Sequence, residues 1–240
     1  MKMYRTVLML LMVTMVFIGC SEDDDAPLTE ELLPQDVRNT VDDEVMELIL
    51  NDYYLNEQGK LTRFSDTDVS DDEEVPLRDL ATYNPIGFWT VKRPDHSANG
   101  RRVVDVNTEK ILLQYDMFTF MGRTNEARDS TFYSPPARFS STINATGYPS
   151  WDPNFYYKPL SEAEIENNVE RSWYEIEGFQ EGIRLFNASN KEADAQPFVD
   201  FQGLVIIPSR LAFGRERNAF GLRPDQSVII NFELYKVEDR

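Results

Sequence analysis

A chain of 240 residues with 41% hydrophobic content can build one substantial core with an appended segment. Its 42 acidic and 24 basic residues leave a formal charge of -18, which disfavours nucleic acid and anionic membrane surfaces as partners, since both need a positive field. One cysteine excludes an internal disulfide, and one histidine, His96 in a polar turn-like run, supports neither a metal site nor Ser/His or Cys/His hydrolase chemistry.

Lys2 and Arg5 precede an apolar run of 12 residues, 7–18, too short to span a bilayer comfortably and suited to the apolar region of a signal peptide. Val16-Phe17-Ile18-Gly19-Cys20 follows at its end and resembles the lipobox of bacterial lipoproteins, in which the cysteine is diacylated. The resemblance implies a signal peptide over 1–19 and a lipid anchor on Cys20, and paired acyl chains give lasting attachment where one does not. Ser21-Glu22-Asp23-Asp24-Asp25 is either a solvated spacer or, by resemblance, the export signal that sends lipoproteins of Bacteroidetes-type bacteria to the cell surface. The expected location is therefore the outer membrane, on its outer face or alternatively its periplasmic face.

Residues 20–80 hold 20 acidic and 4 basic side chains, so most of the net charge lies in this stretch. Residues 20–35 are expected to form a tether, and 36–82 a helix and an acidic loop. Val37, Val41, Val45, Leu48 and Leu55 recur at helical spacing between 36 and 56, Asp36 can cap the start, and Gly59 supplies a stop. This helix should dock on the following domain or on a partner. The carboxylate-rich 66–74 segment lacks the glycine and glutamate of a calcium loop: those two positions hold Asp71 and Leu77. It is expected to be a flexible loop. No Gly-rich phosphate loop and no internal repeat is present.

From residue 83 to 240 strand-like runs dominate, at 87–91, 103–106, 111–120, 137–143, 204–207 and 228–237, with one short helix at 177–186. The pattern predicts an α+β domain whose antiparallel sheet wraps around that helix. Two insertions, about 144–173 and 187–201, interrupt it. The first carries Tyr148, Trp151, Phe155, Tyr156, Tyr157 and Trp173, which serve either an interface or a small satellite core.

Several segments stand in a particular order: Tyr115 with Gly122 seven residues on, Asp129-Ser130-Thr131, Pro136-Ala137-Arg138-Phe139, Glu175-Ile176-Glu177-Gly178-Phe179-Gln180-Glu181-Gly182-Ile183, and a closing third with Ile206-Ile207-Pro208, Ala212-Phe213-Gly214, Pro224 and the strand 228–237. In that order they resemble the FKBP family of peptidyl-prolyl cis-trans isomerases. The resemblance implies an FKBP-like sheet around one helix and an aromatic cup. Tyr115, Asp129, Phe179 and Phe213 would carry catalysis there, and Phe139, Ile176, Leu222 and Ile230 would bind substrate.

Prolyl isomerisation crosses a barrier of about 18–20 kcal/mol set by amide resonance, and a dry apolar cup favours the less polar twisted state. No cofactor, metal or nucleophile is implied. The departures weaken the cup: Phe179 stands where the family commonly has tryptophan, Phe213 where it has tyrosine, Ile230 where it has phenylalanine, and Glu175 where it has an apolar residue. A missing neutral hydrogen bond lowers the rate up to about tenfold. The expected function is a lipid-anchored prolyl isomerase acting on proline-containing segments of exported polypeptides. The alternative is a catalytically degenerate subunit of an outer-membrane secretion, gliding or assembly complex.

Overall fold

Two long runs rich in β-branched and aromatic residues become the paired centre of a sheet. In the computed structural model, which describes residues 32–240, β11 (Ser227–Asp239) runs antiparallel along β5 (Glu109–Phe120), with Ser227 opposite Phe120 and Asp239 opposite Glu109. On the other side of β11 lie β10 (Gly203–Ile207), β4 (Phe88–Lys92) and the edge strand β3 (Ala81–Asn84). Beyond β5 lie β8 (Ala137–Ser141) and the two-residue β9 (Ser150–Trp151). All these pairings are antiparallel. The expected signal peptide, Cys20 and acidic leader lie outside the described residues.

Side chains alternate across this sheet with period two, and the two faces have been put to different uses. Val228, Ile230, Phe232 and Leu234 of β11 join one apolar cluster with Phe179 and Ile183 of α4 (Glu177–Ile183). Two helical glycines four residues apart let α4 lie close on β10: a Cβ on Gly178 would come 2.5 Å from Ile207 Cγ2, and one on Gly182 2.8 Å from Val205 Cγ2. The architecture is therefore the expected α+β one, an antiparallel sheet packed around one short helix.

The opposite face carries Asn231, Glu233 and Tyr235, also buried, beneath added segments. A hairpin of β1 (Tyr53–Leu55) and β2 (Leu61–Arg63) covers part of it. Asn231 receives the Leu61 N–H at 3.0 Å and donates to the carbonyls of Gly59 and Gly203 at 3.0 and 2.9 Å, so its buried amide is fully engaged. Gly59, at φ +71°, is required at that turn, because a Cβ would sit 2.0 Å from the Phe201 carbonyl oxygen. The second insertion covers the remainder, with Ser189 and Asn190 donating to the carbonyls of Leu234 and Tyr235.

α1 (Gln35–Asp52) buries Val41, Val45, Met46, Ile49 and Leu50 along one stripe. It ends four residues before the expected limit because Tyr53-Tyr54-Leu55 pairs as a strand instead. Pro34 precedes its first turn, and Asp36 lies within that turn. Arg38 and Asp42 pair at 2.9 Å inside the protein, where Arg38 also donates to the Gly122 carbonyl and Asp42 accepts the Ser209 N–H and hydroxyl. The helix is thereby clamped to the loop that leaves β10.

Some local expectations change with tertiary context. Residues 103–106 form no strand, yet Val103 and Val106 still pack into the core from a loop. In the acidic 66–74 segment a 3-10 turn, Val69–Asp71, forms, with Asp68 accepting the Ser70 N–H and Asp71 the Ser65 N–H. No helix among the described residues is long and apolar enough to cross a membrane.

Candidate functional site

α4 is preceded by Ile176, whose N–H donates to the Phe155 carbonyl at 2.8 Å. That bond brings the first insertion down beside the helix. Phe155 contacts two of the expected wall residues: its ring centroid is 4.8 Å from Tyr115 and 5.2 Å from Phe179, edge-on to both. Phe179 also meets Tyr156 at 6.5 Å and Phe232 at 5.6 Å, and Phe232 meets Phe186 at 4.8 Å. T-shaped contacts of this kind add about 0.5–1.5 kcal/mol each beyond area burial.

Most of the eight expected cup residues converge. Ile176, Phe179, Phe213 and Ile230 belong to one apolar cluster, with Tyr115 and Leu222 packed at its margin. Phe139 is exposed on β8, with its ring 6.3 Å from Phe220, which in turn lies 5.7 Å from Phe213. Asp129 stands apart. It is exposed in the turn between β6 (Gly122–Thr124) and β7 (Thr131–Tyr133), where it is bonded to Asn125. That hairpin is tied to α1, with Tyr133 donating to Asp52 at 2.5 Å and Thr131 to Glu44.

The floor of the assembly is closed. Phe179, Ile176 and Ile230 are 0% exposed and Phe155 is 2% exposed, so water does not reach the inner wall. Tyr115 is half-buried, with its hydroxyl 3.2 Å from Ser140 Oγ. Burial pushes the phenol up, and the Ser140 hydrogen bond partly opposes the shift. The phenol is therefore neutral at ordinary pH.

The first insertion divides its aromatic residues between two roles. Phe155, Tyr156 and Tyr157 are buried, and Tyr156 donates to the Glu109 carbonyl at 3.2 Å. Tyr148, Trp151 and Trp173 remain exposed, and Tyr148 stacks edge-on against Phe198 of the second insertion at 5.7 Å. Beside Phe213 an open groove of about 1250 Å³ runs between Trp173, Arg210, Arg217 and the start of α1 at Gln35 and Asn39. The ordinary periodicity of a strand does not reveal Phe155, because it lies outside one. Its only sequence signal is the density of aromatic residues around it.

No family model matches the chain, and no curated protein matches it. Among solved structures, FkpA from Escherichia coli is similar at 14% identity and a TM-score of 0.36, over 67% of this chain and 52% of that one. A peptidyl-prolyl cis-trans isomerase from Pseudomonas syringae pv. tomato is similar at 13% identity and a TM-score of 0.37, over 73% of this chain and 99% of that one. The three FKBP domains of wheat FKBP73 are similar at 13% identity and a TM-score of 0.35, over 63% of this chain and 46% of that one. The chain thus spans about half the length of the first and third of these structures.

Proposed function

We propose that this chain is a lipid-anchored, FKBP-like polypeptide-binding protein of the outer membrane whose cup has been closed by its own insertion. In this reading it serves as a subunit of an envelope assembly rather than as an isomerase. The observation that carries the reading is Phe155. Its buried ring packs edge-on against both Tyr115 and Phe179, two of the walls expected of the cup. A prolyl ring seated against Phe179 would have to expel a buried phenyl group, at about 3–5 kcal/mol for the packing lost. Binding energy spent in that way is not available to lower the barrier.

Partner contact in this reading falls on surfaces that stay open: the groove beside Phe213 and the exposed aromatic residues of the insertions. Exposed tryptophan and tyrosine are the residue types that anchor interfaces. Attachment through Cys20 would hold the domain at the membrane despite its negative charge.

An isomerase assay on a proline tetrapeptide tests the proposal. The full chain should leave the uncatalysed rate unchanged, and it should co-purify with membrane proteins in a manner weakened by Trp173→Ala. Turnover that falls in Phe179→Ala and Tyr115→Ala variants would establish the enzyme instead. For the anchor, Cys20→Ser protein should leave the membrane fraction; retention there would refute lipidation at that residue.

A further inference from the structure

Glu233 belongs to the outward-facing set of β11 and would meet water on a bare sheet. Here it is 0% exposed, and three segments distant in sequence converge on it. His96, in the turn after β4, brings Nε2 to 3.2 Å from Glu233 Oε1 and 3.7 Å from Asp200 Oδ2. Asp200 precedes β10, and its other oxygen is held by Arg93 at 2.6 Å. Lys191 of the second insertion places Nζ 2.8 Å from both carboxylates. Glu233 Oε2 and His96 Nδ1 are buried without a hydrogen-bond partner among the described residues.

We propose that His96, Asp200 and Glu233 form a binding site for a divalent transition-metal cation of the zinc class, in which the metal displaces the Lys191 ammonium. One donor atom from each of the three lies within 4.8 Å of the others. The Nε2-to-oxygen separations of 3.2 and 3.7 Å bracket the edge of about 3.3 Å for a tetrahedron with bonds of about 2.0–2.1 Å. A neutral imidazole with two carboxylates selects zinc-like ions over calcium or magnesium, which favour all-oxygen sets.

The charges fit an exchange of cations. Arg93 and Lys191 together balance Asp200 and Glu233, so removing Lys191 alone would leave a net negative charge buried against the sheet. A metal ion restores positive charge at the same point, and it can also engage the orphaned Glu233 oxygen. Lys191 is the member free to leave, because its side chain is partly exposed and sits in an added segment, whereas Glu233 is fixed in the central strand.

Cobalt(II) added to the full chain, followed by its visible absorption, tests the site. Lys191→Met should bind cobalt about tenfold more tightly than the unaltered chain, because the competing ammonium is gone. His96→Gln should abolish the four-coordinate bands in either background. Absence of bands in a folded Lys191→Met protein, or bands that persist after His96→Gln, would overturn the proposal. A second measurement needs no substitution: excess zinc should raise the unfolding midpoint of the unaltered chain, and a midpoint that does not move would likewise overturn it.

Discussion

Phe155→Ala is the most informative perturbation of the closed cup. The substitution removes a ring that is 2% exposed and makes two edge-on contacts, with Tyr115 and Phe179. Large-to-small changes of this kind cost about 3–5 kcal/mol, from lost transfer energy and from the void left behind. The Phe155 carbonyl still accepts the Ile176 N–H, so the loop keeps its backbone anchor and the void should not collapse fully. We expect a loss of about 4 kcal/mol, against a typical domain stability of about 5–15 kcal/mol, so the variant folds with a lower urea midpoint and an unchanged slope. Phe155→Leu, which keeps most of the volume but not the ring contacts, should lose about 1–2 kcal/mol. The apolar void should admit a small aromatic such as benzene, seen as a rise in the variant's unfolding midpoint that the unaltered chain does not show. A loss below about 1 kcal/mol, or no effect of benzene, would mean that Phe155 does not fill the space between those walls.

Other substitutions test the packing and charge arguments separately. Gly182→Ala should destabilise despite alanine's better helix propensity, by about 1–3 kcal/mol in urea unfolding, because its Cβ meets Val205 on β10 at 2.8 Å; a stabilised variant would contradict the close approach. Asp42→Ala should cost about 3–5 kcal/mol by leaving the Arg38 guanidinium buried without its carboxylate, and a change within error would show that water reaches Arg38. Glu164, at the third helical position of a capping box begun by Ser161, has its carboxyl pulled down from 4.5 to about 2 by the Ser161 hydroxyl and then by Tyr174. Because its folded value is depressed, its stabilising contribution is present above the unfolded value of 4.5 and is lost as pH falls through about 2. NMR titration of that carboxyl should place its inflection near 2, and an inflection near 4.5 would remove the capping box from solution.

The chain's own pattern was enough to define the elements with strong periodicity. The runs rich in β-branched, aromatic and other apolar residues that become β5, β10 and β11 identify themselves because such side chains suit a pleated, buried surface. The role of Gly178 and Gly182 emerged only from the structure, where close helix-to-strand contact leaves no room for a Cβ. Ile176, Phe179, Phe213 and Ile230, apolar residues far apart along the chain, share one buried cluster.

Tertiary structure alone decided what fills the space among them. Phe155 and Tyr148 occur in the same aromatic-rich insertion, and nothing local tells that the first is buried beside Tyr115 while the second is left outside against Phe198. A backbone bond from the Ile176 N–H to the Phe155 carbonyl holds the first in place, and that bond joins residues 21 positions apart. In the same way, His96 is a solitary histidine in one dimension. Only folding brings Asp200 and Glu233 within reach of it, because cation and metal sites are assembled from distances in space, and those distances are set by which segment covers which face of the sheet.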